Sequence, residues 1–275
     1  MHTLLAAVAV LILNIVATSV LELPSTKKAE TANIASVAED VPTEPAPAQA
    51  PLLEYIEVTD SCGPYHETAC VLARTGPGEE YPVVDRLRTG MVLRTSGKVE
   101  TGGHTWYKVI FDEQLRYPER MGKNLYVAAD YVSPILDQGP QDLATESRAT
   151  TSKKIVVDRS EQMLYAYDGD TLFTQLSIST GLAFTPTPRG TFTIYKKTPT
   201  RYMQGPLPGI SDQYYDLPGV PWNLYFTEQG AVIHGAYWHD KFGKRWSHGC
   251  VNLPPEEAKK LYQWADLGTP VIVRD

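Results

Sequence analysis

The residue in this sequence with the greatest chemical potential is Cys250, set in Ser247-His248-Gly249-Cys250-Val251-Asn252. A thiol with its free pKa of about 8.5 is only a few per cent ionised at neutral pH, so a useful sulfur nucleophile needs a base or a cation beside it. Two histidines qualify: His248, two positions before the cysteine, and His234, at the end of the apolar run Ala231-Val232-Ile233. The residue pattern leaves both open. Gly249 permits close approach of a substrate and an unusual backbone angle, and the amides of Gly249 and Cys250 are candidate donors to a developing oxyanion. Together these groups specify acyl transfer through a cysteine.

The other two cysteines, Cys62 and Cys70, lie eight residues apart near the start of the first folded region. In an exported chain they are expected to pair as a disulfide, which leaves Cys250 as the odd, free thiol. His234, His239, His248 and Cys250 are also zinc-ligand types, but their spacing matches no defensible zinc pattern, and no metal is expected.

Around these residues the chain reads in five parts. Residues 1–23 carry an apolar run over 4–20, between a secretory core and a bilayer span in length, and are expected to be a signal peptide or membrane anchor. Residues 24–53 are rich in Ala, Thr, Pro and Glu, too poor in large apolar side chains to offset ordering entropy, and read as a tether. Residues 54–137 hold short β-like runs between turn signals, among them Met91-Val92-Leu93-Arg94 and Trp106-Tyr107-Lys108-Val109-Ile110-Phe111, the pattern of a small barrel. An insert at 112–122 reads as a surface loop. Residues 138–152 read as a linker, and 153–275 as a second, mostly β region with one helix opened by Pro254-Pro255-Glu256-Glu257 and stopped at Gly268. Its strand-like runs include 154–158, 163–167, 171–179, 190–196, 222–227, 231–233 and 270–274, while 201–222, with Tyr202, Met203, Tyr214, Tyr215 and Trp222, reads as an aromatic-rich loop fit to cover a substrate. The net charge of -7, with no long basic block, argues against nucleic acid as a partner.

His234-Gly235, a spacer, and then Ser247-His248-Gly249-Cys250-Val251-Asn252 resemble the signature of the L,D-transpeptidases with a YkuD-type catalytic domain. The similarity extends to Arg159-Ser160-Glu161-Gln162-Met163-Leu164-Tyr165, to Ser179-Thr180-Gly181, to Thr187-Pro188-Arg189-Gly190-Thr191-Phe192 and to Gly268-Thr269-Pro270-Val271. The segment Ala73-Arg74-Thr75-Gly76-Pro77-Gly78-Glu79-Glu80-Tyr81, with Trp106-Tyr107-Lys108-Val109, resembles a bacterial SH3-like domain, although Leu72 and Tyr126 depart from that family's usual Asn and Trp.

The resemblance implies a mainly β chain, an SH3-like small barrel followed by a β-sandwich-like catalytic domain. It implies Cys250 as nucleophile, His234 as base, and the Gly235 carbonyl as the group that orients the imidazole. A strand end also fixes a base better than a loop neighbour does. Ser247, His248, Gly249 and Asn252 are then residues of the substrate and oxyanion site, joined loosely by Tyr215, with Tyr214 its rival, and by Trp222. The implied partners are peptidoglycan stem peptides, a donor tetrapeptide losing D-alanine and an acceptor amine, with wall-peptide contact by the SH3-like part, work in the cell envelope, membrane contact only through the N-terminal segment, and no cofactor. The competing functions are an L,D-carboxypeptidase or endopeptidase that gives the acyl group to water, and a non-catalytic wall-binding protein.

Overall fold

The computed structural model describes residues 51–121, 124–144, 151–209 and 211–275. The expected export segment and most of the expected tether lie outside the described residues. Among the described residues no helix is long and apolar enough to cross a membrane. Residues Gln49–Asp275 make one compact unit.

The first region alternates apolar and polar residues at the strand period. Its strands are β1 (Leu53–Val58), β2 (Val71–Arg74), β3 (Val83–Leu87), β4 (Val92–Thr101), β5 (His104–Ile110), β6 (Leu125–Ala128) and β7 (Val132–Asp137), in a single sheet of order β3-β2-β6-β5-β4-β1-β7. Each neighbouring pair is antiparallel. Ile56, Leu93, Val109 and Val127 project to one buried cluster. Cys62 and Cys70 are joined as a disulfide, closing the loop that leads into β2.

The second region contains β8 (Gln141–Asp142), β9 (Lys153–Asp158), β10 (Met163–Asp168), β11 (Thr171–Ser177), β12 (Gly190–Thr193), β13 (Lys196–Leu207), β14 (Ser211–Tyr225), β15 (Val232–Gly235), β16 (Val251–Leu253), helix α1 (Pro255–Trp264) and β17 (Pro270–Arg274). They form two five-stranded sheets, β11-β10-β9-β17-β12 and β16-β15-β14-β13-β8. A shared core fits the sandwich expected of this part. Ile155 and Val157 of β9 face Ala166 and Leu164 of β10 in antiparallel register, all four fully buried. They meet Ile233, Val251 and Leu253 from the other sheet and Leu261 of α1 in one cluster. Burying each of the Val, Leu and Ile side chains contributes about 1.5–3 kcal/mol, which makes this seam the rigid base of the site.

Two features differ from the sequence expectation. Gln141–Asp142, in the segment read as linker, pairs with Lys196 and Lys197 as an edge strand. Residues 201–222, read as a loop, are most of the long β13–β14 hairpin. The hairpin was hidden because Pro206, Pro208, Pro218 and Pro221, with Gly205, Gly209 and Gly219, mask a strand period. Its register shifts between Arg201 and Met203 and again between Gly205 and Leu207.

Candidate active site

The short strands β15 and β16 run parallel, with His234 opposite Asn252 and Gly235 opposite Leu253. Cys250 lies two residues before Asn252, so the strand period sends both side chains to one face. That face opens into a cavity of about 940 Å³ that Cys250, His234 and Asn252 all line.

The cysteine segment is held from below by residues 179–182. Ser179 and Asn252 exchange backbone hydrogen bonds at 2.9 Å each way, and the Trp246 and Ser247 amides donate to the Thr180 carbonyl at 3.0 and 3.1 Å. The Leu182 amide donates to the Ser247 carbonyl at 2.9 Å. Thr187 is fully buried; its hydroxyl accepts the Gly181 N–H at 3.0 Å and donates to the Cys250 carbonyl at 3.4 Å. The family-like Ser179-Thr180-Gly181 and Thr187 therefore fix the backbone on which Cys250 sits.

His234 is wholly buried, and its Nδ1 lies 3.0 Å from the Gly235 carbonyl. A carbonyl only accepts, so Nδ1 carries the ring proton and Nε2 presents a lone pair. Nε2 is buried with no hydrogen-bond partner. Burial pulls the His234 pKa down to about 4, the Gly235 carbonyl opposing and the Arg201 guanidinium and His239 adding to the fall. Burial also pushes the Cys250 thiol up, with Arg201 and the Val232 N–H pulling the other way. Both shifts favour a neutral imidazole and a thiol over an ion pair. Cys250 Sγ lies 3.8 Å from the Gly230 carbonyl, a weak contact that leaves it oriented but unspent.

Ser247 ties the turn together: its hydroxyl donates to the Cys250 carbonyl at 2.5 Å and accepts the Gly249 N–H at 3.2 Å. The expectation that the Gly249 amide points at an oxyanion is corrected here, since Ser247 already holds it. Gly249 has φ of +120°, a conformation L side chains rarely adopt, which accounts for glycine at this position. His248 lines the cavity, half-buried.

Asn252 meets His239, whose Nε2 is 2.9 Å from the Asn252 amide group. His239 Nδ1 accepts the Lys241 N–H at 3.1 Å, so the neutral ring keeps its proton on Nε2 and donates it. Asn252 must answer with its amide oxygen, which turns the NH2 group to the buried position that has no protein partner. His239, weighed from sequence only as a metal ligand, is instead the residue that orients Asn252.

The aromatic assignments separate. Tyr215 lines the cavity, whereas Tyr214 is 65% exposed and packs under the Arg120 guanidinium at 4.6 Å. Trp222 was expected at the substrate site and is not there: it is 2% exposed, sits in the core and packs on Tyr262 with ring centroids 5.3 Å apart. Its φ of +59° interrupts the regular strand conformation of β14, and residues 219–224 are all buried around it. Arg201, named in sequence only as the start of a loop, lines the cavity and lies 5.5 Å from the Tyr225 ring centroid. Its electrostatic place was invisible because nothing in its neighbours marks β13 as a wall of the site. Among the described residues, the group of side chains close enough to share a metal ion is Cys62, His66 and Cys70, and its two sulfurs are spent on the disulfide.

Residues 152–273 match the family model of the YkuD L,D-transpeptidase catalytic domain. A probable L,D-transpeptidase 3 of Mycobacterium tuberculosis is 34% identical over 95 residues, covering 33% of this chain and 35% of that protein. A putative L,D-transpeptidase YkuD of Bacillus licheniformis is 27% identical over 127 residues, covering 45% of this chain and 67% of that one. The chain thus spans about a third of the first relative's length. Among solved structures, a mutant L,D-transpeptidase of Enterococcus faecium aligns with 29% identity over 45% of this chain and 50% of its own, at a TM-score of 0.41. An L,D-transpeptidase from Mycobacterium smegmatis aligns with 22% identity over 62% and 91%, at a TM-score of 0.44. Through residues 152–273 the chain is similar to the L,D-transpeptidases with a YkuD-type catalytic domain.

Proposed function

We propose that this chain is a peptidoglycan L,D-transpeptidase that works in the cell envelope through a Cys250 thioester. The observation that carries the reading is the unpartnered, proton-free His234 Nε2, buried in the same cavity as the free thiol and backed by the Gly235 carbonyl. Cys250 Sγ attacks the carbonyl of the third residue of a stem tetrapeptide as its proton passes to His234 Nε2. The imidazolium so formed is stabilised by the Gly235 carbonyl at Nδ1 and returns the proton to the departing amine, so D-alanine leaves neutral and the acyl group stays on sulfur. An acceptor amine then attacks the thioester, gives a proton to His234, and the thiol recovers it. Burial favours the uncharged form of both groups, which is consistent with proton transfer accompanying attack instead of preceding it. A cavity of about 940 Å³ suits a short peptide.

Tyr215, Asn252 and the Cys250 amide are the groups placed to meet the carbonyl oxygen as it gains charge, with Ser247 and Gly249 holding the turn and His248 on the cavity wall. The first sheet is proposed to be the SH3-like wall-binding part, and residues 1–23 to carry the export signal or anchor.

The test is incubation of the full chain with a purified tetrapeptide muropeptide, read by mass spectrometry for D-alanine release, the thioester and crosslinked dimers. Cys250→Ala is expected to abolish all three, and His234→Ala to slow acylation at least a thousandfold. D-alanine release without dimers assigns the hydrolytic function instead. Crosslinking by Cys250→Ala equal to that of the parent would refute the cysteine mechanism.

A further inference from the structure

The insert between β5 and β6 belongs by sequence to the first sheet, yet its contacts are with the hairpin of the second region. The Tyr117 amide donates to Gln204 Oε1 at 2.8 Å, and Gln204 Nε2 donates back to the Tyr117 carbonyl at 3.1 Å, a two-way clamp on one side chain. The Tyr117 hydroxyl donates to the Pro206 carbonyl at 2.9 Å and Arg120 donates to the Gly205 carbonyl at 2.6 Å. Arg120 also stacks 3.8 Å from the Tyr117 ring centroid. The Glu113 carboxylate accepts the Tyr202 N–H, and Phe111 packs on Tyr202 with centroids 4.8 Å apart. Tyr202 and Pro206 fall at the two register shifts of the hairpin, where β14 offers them no opposite residue. The insert therefore satisfies the edge that the hairpin's own irregularity leaves open.

Held there, residues 113, 114 and 116 form part of the cavity wall beside Cys250. The charged side chains that line the cavity are Arg116, Arg201 and Glu113. Two guanidinium groups thus face a single carboxylate, in a chain whose net charge is -7. Arg201 is engaged with Tyr225, whereas Arg116 has neither an ion pair nor a hydrogen bond among the described residues and acts on the protein through its charge near Tyr215. An exposed guanidinium on a latched loop, at the cavity wall and close enough to act on Tyr215, is suited to take a carboxylate through two parallel N–H···O bonds.

We propose that residues 112–121 are a strap that completes the substrate cleft, and that Arg116 on this strap is a specificity-determining residue that binds a free carboxylate of the donor peptide. This rests on the transpeptidase reading and adds to it a selectivity residue supplied from outside residues 152–273. Desolvation raises the Glu113 carboxyl to about 7, against the Tyr202 N–H, Arg201 and Lys196, so near neutral pH it carries about half a charge and the two guanidinium groups still outweigh it.

The experiment uses the full chain, tetrapeptide donors amidated singly at each carboxylate, and three proteins: the parent, Arg116→Ala and Arg116→Lys. Thioester formation gives KM and kcat; alkylation of Cys250 by iodoacetamide reports the thiol independently of peptide binding. The expected result is a KM about five- to tenfold higher for Arg116→Ala with kcat and alkylation rate unchanged, and part of that loss restored in Arg116→Lys. One amidated donor should show the same penalty with the parent and no further penalty with Arg116→Ala. Unchanged KM in Arg116→Ala, or penalties that simply add, overturns the proposal while leaving thioester chemistry intact. If the parent forms no thioester with any donor although Cys250 is alkylated, the transpeptidase reading falls and this one with it.

Discussion

Strands β15 and β16 and the hairpin β13–β14 face the same cavity but are held there by different physics. Val232–Gly235 and Val251–Leu253 are wholly buried, paired in parallel, and backed by apolar side chains from the other sheet and α1. The hairpin is long, twice shifted in register, partly exposed, and secured along its open edge by polar contacts to the strap. Dispersion and burial fix geometry to fractions of an ångström, whereas polar latches on an edge fix it less tightly and are open to solvent. A reacting pair belongs on the first kind of element, and a wall that must admit a peptide belongs on the second.

The largest separation between the two regions is expected in acid. His234, on β15, and His239, which contacts Asn252 of β16, both have pKa values pulled by burial from 6.5 to about 4. Their contribution to stability is fully present above pH 6.5 and is lost as the pH falls towards 4, because the unfolded chain takes up the protons first. The loss is on the order of 3 kcal/mol per histidine. Raised carboxyls such as Asp137 and Glu113 act in the opposite sense, so the clean measurement is a difference. Between pH 7.5 and 4.5 the fall in urea midpoint should be clearly smaller in His239→Gln than in the parent. An identical fall in both proteins would show that the buried His239 is not what makes the site acid-sensitive.

Gly235 tests the rigidity of the same element by steric means. A Cβ there would lie 2.8 Å from Pro221 Cγ and 3.0 Å from Pro255 Cα, a ring and a backbone atom that cannot swing aside. Gly235→Ala should destabilise the chain by about 1–3 kcal/mol. By shifting the carbonyl that holds His234 Nδ1, it should also slow acylation by more than the loss of folded protein explains. Wild-type stability and rate in this variant would mean that β15 tolerates movement, which would erase the contrast with the hairpin.

The same contrast explains what the sequence displayed. The cysteine motif, the strand before His234 and the helix start at Pro254-Pro255 are compact signals, each contained in a few adjacent residues whose types carry the reason for their place. The disulfide between Cys62 and Cys70 was legible for the same reason. The hairpin was not, because prolines and glycines at its bulges erase the two-residue period. Arg116, Arg201 and Glu113 were not, because what makes them part of the site is a contact between segments some 85 residues apart, which no local pattern encodes. Trp222 failed in the opposite way: at the end of an aromatic-rich segment read as a covering loop it counts as a binding residue, whereas β14 carries it into the core.

The smallest effect concerns the strap alone. Gln204 is 4% exposed and gives hydrogen bonds to the Tyr117 carbonyl and to Asp216 Oδ1, at 3.1 and 3.0 Å, while accepting the Tyr117 N–H. Gln204→Ala removes all three but little apolar burial, so the global urea midpoint should fall by only about 1 kcal/mol equivalent. Amide exchange across residues 112–121 should accelerate markedly, because these contacts carry local rather than global stability. A pH dependence should accompany it. The Glu113 carboxyl, raised to about 7, favours the closed strap below its unfolded value near 4.5, and this contribution is lost as the pH rises through 7. Exchange of the strap, corrected for its intrinsic rate, should therefore be faster at pH 8 than at pH 6 in the parent and nearly level in Glu113→Gln. If Gln204→Ala accelerates exchange in β15 as much as in the strap, the two regions open together and the division between a rigid reacting pair and a separately latched wall is wrong.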